Sequence, residues 1–131
     1  MSTPPLDPAV EHFAPYVGGP VDALPSPSML VERSILEANI ARMAAAARDL
    51  GVALRPHWKA SKCVPVGRLQ LAAGAVGLTC ATVREAEALL DAGVTSIFWA
   101  YPAVGPERIR AAIAAAARAE LIVGGDSAEN F

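Results

Sequence analysis

Residues 54–63, LRPHWKASKC, hold both lysines of the chain, Lys59 and Lys62, beside a histidine, a tryptophan and a cysteine. The other long cationic side chains, from Arg33 to Arg118, are all arginines. An amine offers chemistry a guanidinium lacks: desolvated or crowded by other cations, it loses its proton near neutral pH and attacks a carbonyl to form an imine. Arg55 and Lys62 are cations close to Lys59 in sequence. Lys59 is the candidate nucleophile, because it lies nearer the end of the strand read over residues 52–55, VALR, whereas Lys62 falls at the start of the next helix. The plainer alternative is a solvated loop lysine.

A repeating strand and helix positions these residues. SMLVE, residues 28–32, is a short apolar run of strand length. The helix SILEANIARMAAAARDLG follows, with Ser34 and Glu37 as a capping box, Leu36, Ile40, Met43, Ala47 and Leu50 on one face, and Gly51 at its left-handed end. After VALR comes a helix from Pro65 to Gly74. VGLTC and SIFWA are the next strands, separated by the helix TVREAEALLDAG with Thr82 and Glu85 as its capping box. GPERIRAAIAAAARA is the last full helix and LIVG the last strand. Strands starting about 20 to 24 residues apart, each followed by an amphipathic helix, predict parallel βαβ units of the α/β class. The count matches about the first four βα units of a (β/α)8 TIM barrel, whose usual size is around 250 residues. Asp126 and Glu129 form a fresh capping pair near the end of the sequence, so the chain is expected to be the amino-terminal half of a longer barrel. Residues 1–24 read as a proline-rich extension, with a short helix or turns around Val10 to Phe13, and residues 25–131 as the half-barrel.

Composition narrows the function. A net charge of -2 over 131 residues provides no basic footprint for nucleic acid. No uncharged apolar stretch reaches the roughly 18 residues that span a bilayer, so no membrane partner is expected. Two cysteines, Cys63 and Cys80, make no disulfide framework or zinc-binding spacing, and a reducing cytoplasm is the expected setting.

In parallel α/β folds the reactive groups stand just beyond the carboxyl ends of the strands. That rule selects His57 and Lys59, then Cys80 and Thr82, then Tyr101, then the Gly124-Gly125-Asp126 run. His57 reads either as a pocket residue touching a cofactor or as a packed, hydrogen-bonded histidine. Tyr101 is a pocket wall or a rim aromatic. Arg55 reads as structural, pointing into the barrel or pairing with a carboxylate; Trp58 and Trp99 read as packing residues, Cys80 as a small strand residue, and Thr82 and Asp126 as helix caps.

RPHWKASK, preceded by SPSMLVERSILEANIARMAA and followed by RLQLAAGAVGLTCATVREAEALLDAGV, resembles the amino-terminal part of the D-threonine aldolase and D-serine dehydratase family, relatives of alanine racemase with the fold-type III barrel. The likeness runs over roughly residues 25 to 130. It implies that Lys59 carries pyridoxal 5'-phosphate covalently and is the catalytic lysine, with His57 and Tyr101 as further cofactor-binding candidates. It implies a lyase or aldolase acting on a small D-amino acid, by cleavage of Cα–Cβ or by loss of the Cα hydrogen and then of hydroxide; racemisation fits less well. A divalent metal is implied for full-length relatives, with its ligands, the phosphate-binding loops and a β-rich domain all placed beyond residue 131. A homodimer is a further implication. Relatives commonly carry Thr-His-Lys after the cofactor lysine, where this chain has Ala60, Ser61 and Lys62, which bears on substrate and reaction subtype. A non-catalytic cofactor carrier and an inert fragment are the alternative readings.

Overall fold

The computed structural model describes residues 12–128. They fall into two compact units, one ending at Glu32 and one starting at Arg33. In the first, short 3-10 turns cover Ala14–Tyr16 and Val21–Ala23. Of the helix or turns expected around Val10 to Phe13, residues 12 and 13 are helical and the rest lies outside the described residues. SMLVE forms no strand: Met29, Leu30 and Val31 are exposed in irregular chain. A run of apolar residues becomes a strand only when a neighbouring strand takes its backbone hydrogen bonds, and among the described residues no strand pairs with Met29, Leu30 and Val31.

The second unit contains helices α1 (Arg33–Asp49), α2 (Val64–Ala72), α3 (Val83–Asp91) and α4 (Pro106–Ala116), and strands β1 (Leu78–Cys80), β2 (Ser96–Trp99) and β3 (Glu120–Val123). The strands make one parallel sheet in the order β1-β2-β3, with Leu78 beside Ile97 and Ile97 beside Leu121. This is part of a (β/α)8 barrel, as the alternation predicts.

VALR is corrected by the structure. Residues 54–57 run parallel to β1, with Val76 N donating to Leu54 O at 3.0 Å and Thr79 N to Pro56 O at 2.8 Å, but only His57 completes a bridge, opposite Thr79. Pro56 has no N–H to give the ladder, so the segment accepts bonds without forming a full strand.

Parallel register sorts the side chains into two faces. Leu78, Cys80, Ile97 and Trp99 are buried with Ala86, Leu89 and Leu90 of α3, Val94, and Ala115 of α4; this is the core. The opposite face, the one a closed barrel turns inward, carries Thr79, Ser96 and Phe98, then Glu120 and a half-exposed Ile122.

Helix ends follow local rules where the rule is local. Thr82 Oγ1 accepts from Glu85 N at 3.2 Å, which caps α3. Gly51 takes φ +66°, the left-handed stop expected after α1. The other end of α1 differs from expectation: the helix starts at Arg33, so Ser34 lies inside it, and Glu37 receives the Arg33 guanidinium at 2.7 Å. Its predicted apolar face is only partly covered, with Leu36 and Ile40 half-buried and Met43 and Leu50 exposed.

Candidate functional site

Beyond the His57 bridge the chain enters a tight 3-10 turn, Trp58–Ala60, at the level of the carboxyl end of β1. Trp58 anchors it. Its indole is buried in the core and Nε1 donates to Cys63 O at 3.0 Å, while its own carbonyl accepts from Ser61 N at 3.1 Å and Lys62 N at 2.8 Å. Lys59 sits in the middle of this turn with its side chain on the exposed side, and its backbone N–H donates to His57 Nδ1 at 3.4 Å. An exposed amine on an anchored turn can reach a carbonyl compound arriving at the rim without displacing the core.

Lys62 closes the turn with φ +47°, a left-handed conformation that costs a residue with a Cβ. Its Nζ lies 3.2 Å from Glu85 Oε1, and the other oxygen of that carboxylate accepts from Ala81 N at 2.8 Å. Glu85 is almost fully buried. Burial opposes its ionisation, but the Ala81 amide, the Lys62 ammonium and nearby His57 together outweigh it and hold the carboxyl below its ordinary range.

Both cations expected near Lys59 are therefore occupied by acids. Arg55 reaches the opposite end of the sheet, where Nη1 donates to Ser96 Oγ at 2.8 Å and Nη2 lies 3.9 Å from Glu120 Oε2. Ser96 Oγ itself donates to Glu120, and Thr79 Oγ1 donates to Arg55 O at 3.2 Å. Arg55 thus pairs with a carboxylate at the amino ends of β2 and β3, on the rim that serves stability.

Tyr101 stands exposed just past β2, on the same rim as the Lys59 turn. Among the described residues no hydrogen bond joins it to His57 or Lys59. A cavity of about 710 Å³ opens on this rim, lined by Trp58 and Lys62 on one side, by Thr82 and Glu85 at the start of α3, and by Trp99 and Arg108. Lys59 and Tyr101 do not line it, and His57 lines a different cavity, of about 350 Å³, between α1 and α2. Cys80 is wholly buried, and burial, aided by the Glu85 charge, pushes its thiol up to about 11. Thr82 is the α3 cap. Asp126 lies in irregular chain after β3, and its expected capping partner Glu129 lies outside the described residues. Among the described residues no group of three or more His, Cys, Asp or Glu is placed to hold a metal ion, and no helix is long and apolar enough to cross a membrane.

Glu85 is the residue that sequence reasoning missed. Its spacing from Thr82 marks a capping box, in which the carboxylate would return to the cap's own N–H. The structure gives that carboxylate to the Ala81 N–H and to a lysine from another element. The only available signal was that this acid falls at the same strand-end rim as both lysines.

Three comparisons bear on this geometry. The family described as alanine racemase, N-terminal domain, matches residues 31–127. D-threo-3-hydroxyaspartate dehydratase of Delftia sp. (strain HT23) is 42% identical over 90 residues, covering 69% of this chain and 23% of that protein. D-threonine aldolase of Arthrobacter sp. is 37% identical over 114 residues, covering 87% of this chain and 30% of that protein. The crystal structure of D-threonine aldolase from Filomicrobium marinum superposes with a TM-score of 0.80 at 34% identity, over 84% of this chain and 30% of that one. The chain thus spans between 23% and 30% of the length of these curated relatives.

Proposed function

This chain belongs to the alanine racemase N-terminal domain family, and from that premise we propose that it is the lysine-bearing portion of a pyridoxal-phosphate-dependent lyase or aldolase acting on small D-3-hydroxy amino acids. The observation that carries the reading is Lys59: an exposed primary amine on an anchored turn, just past the bridge that ends the first segment of a parallel sheet. The names of the relatives, D-threonine aldolase and D-threo-3-hydroxyaspartate dehydratase, support the substrate class.

The residues present fit the group at its carbonyl end. Lys59 would hold pyridoxal phosphate through its Nζ, with His57 and Tyr101 as neighbours on the rim. Bound there, the cofactor supplies an electron sink for the pair released when a bond to the substrate Cα breaks. The chain's own contribution is positional. Trp58 fixes the turn in the core, the His57 ring takes the Lys59 amide, and the rim leaves the Lys59 amine open to an incoming amino acid. Once free, that amine is also the base available at this rim to accept or return a proton at Cα.

Incubation of the chain with pyridoxal phosphate, reduction with borohydride and peptide mapping test the reading. Phosphopyridoxyl label on Lys59, lost in Lys59→Arg, is the expected result. Turnover of D-threonine or D-serine with label supports an enzyme, and label without turnover a carrier of the cofactor. A folded chain that takes no label on Lys59 overturns both.

A further inference from the structure

We propose that Glu85 is a positioning residue for Lys59, acting through Lys62 to lock the turn that carries the amine onto the corner between β1 and α3. The inference rests on the reading of Lys59 as the cofactor-bearing lysine.

Three observations carry it. On the core side the turn is tied down by Trp58, whose indole and carbonyl hold Cys63, Ser61 and Lys62. Its side-chain tie to α3 is the 3.2 Å contact from Lys62 Nζ to Glu85 Oε1, and Glu85 is fixed in turn by the Ala81 amide at 2.8 Å. Lys62 also takes φ +47°, where glycine or asparagine would rest more easily. A lysine in that backbone conformation makes sense when its side chain is needed, and the side chain goes to a carboxylate whose charge is almost fully enclosed. The Lys62 side chain is itself largely exposed; it is the enclosed Glu85 carboxylate that needs a cationic partner.

Lys59 lies between the two ties. With the Glu85 tie cut, the turn keeps its tryptophan anchor, so the core survives while the amine loses its fixed direction. Misplacement of a positioned group by about 1 Å costs up to roughly 10²-fold in rate, and loss of a supporting contact about 10- to 100-fold.

Four variants separate the possibilities. Glu85→Gln keeps shape and an acceptor for Ala81 but removes the charge. Lys62→Gly keeps the left-handed backbone and removes the ammonium, and Lys62→Arg keeps a cation that can still reach Glu85. Arg118→Ala cuts a different ion pair, the 2.7 Å contact to Asp91 on the surface, as a control. The rate of borohydride-fixed pyridoxal phosphate incorporation at Lys59 is expected to fall roughly 10-fold or more in Glu85→Gln and Lys62→Gly, and to stay within about 2-fold in Lys62→Arg and Arg118→Ala. Amide hydrogen exchange is the readout independent of cofactor: protection of Ser61 and Lys62 should fall roughly 10-fold in Glu85→Gln while Ile97 is unchanged. Equal labelling rates in wild type and Glu85→Gln, or unchanged protection of the turn, overturn the positioning role and leave the cofactor reading standing. Absence of Lys59 label in the folded wild type overturns the cofactor reading and removes the role with it.

Discussion

The Arg55 guanidinium occupies the space in which a Cβ on Gly77 would have to stand, its Cζ 2.9 Å from that point, with the Ser96 carbonyl oxygen crowding the same point. Gly77 precedes β1, so the guanidinium passes close over the backbone on its way to Ser96 and Glu120. Backbone cannot retreat as a flexible side-chain tip can. Gly77→Ala is therefore expected to cost roughly 1–3 kcal/mol or more and to loosen residues 54–57 from β1. Urea unfolding measures the first effect, and faster exchange of the Thr79 amide, now bonded to Pro56, the second. A midpoint equal to that of the wild type would show that both the Arg55 guanidinium and the Ser96 carbonyl give way to the added carbon.

A second close approach holds the Lys59 turn from below. Gly67, on the buried face of α2, would bring a Cβ to 3.0 Å from Leu78 and 3.4 Å from the Trp58 ring. Gly67→Ala adds an atom that neighbours must accommodate by a few tenths of an ångström, offset by the better helix propensity of alanine. Gly67→Val adds branched volume that they cannot accommodate, and a loss of about 1–3 kcal/mol is expected. Because Trp58 is the displaced neighbour, the loss should come with a red shift of tryptophan emission and weaker labelling of Lys59.

Particular residues show which features could be read from the sequence. The Thr82 cap, the Gly51 stop and the three strands of the sheet were legible because each depends on residues a few positions apart. VALR failed as a strand because the adjacent Pro56 cannot donate to β1, a signal that was present in the sequence, whereas SMLVE failed because no strand among the described residues pairs with it, which the local window could not show. Met43 and Leu50 satisfy the helical period yet remain exposed, since periodicity identifies a face but not what covers it. Lys59, His57 and Tyr101 were selected as strand-end residues; in the structure Lys59 and Tyr101 are exposed and His57 lines the cavity between α1 and α2. Glu85 with Lys62, and Arg55 with Glu120, join elements far apart in sequence, so residue type alone could not pair them.

The Glu85 carboxyl sets an acid dependence. In the folded chain it is held below the ordinary 4.5, although burial alone would raise it. On acidification the unfolded chain takes up this proton first, so the stabilisation is present above pH 4.5 and is lost as pH falls through the lower folded value. Melting temperature against pH should show this acid limb in wild type and a flatter one in Glu85→Gln. Identical limbs would mean that other carboxylates control the transition.

Cys80 sets an alkaline dependence of opposite sense, and it separates the two cysteines. Its thiol, buried in the core beside the Glu85 charge, is pushed from 9.0 to about 11, while Cys63 is only half-buried at the start of α2. Thiolate is the form that reacts, so near pH 8 a disulfide reagent should modify Cys63 and spare Cys80 until the chain unfolds. Between pH 9.0 and about 11 the folded chain keeps a proton that the unfolded chain has released, so stability should decline across that window as pH rises. Cys80→Ala removes the ionisation and should flatten the decline, at a loss of about 1 kcal/mol or more from the smaller side chain in the core. Rapid modification of Cys80 in the folded chain would show that the sheet face between β1 and α3 opens to solvent, and with it the corner that Glu85 occupies.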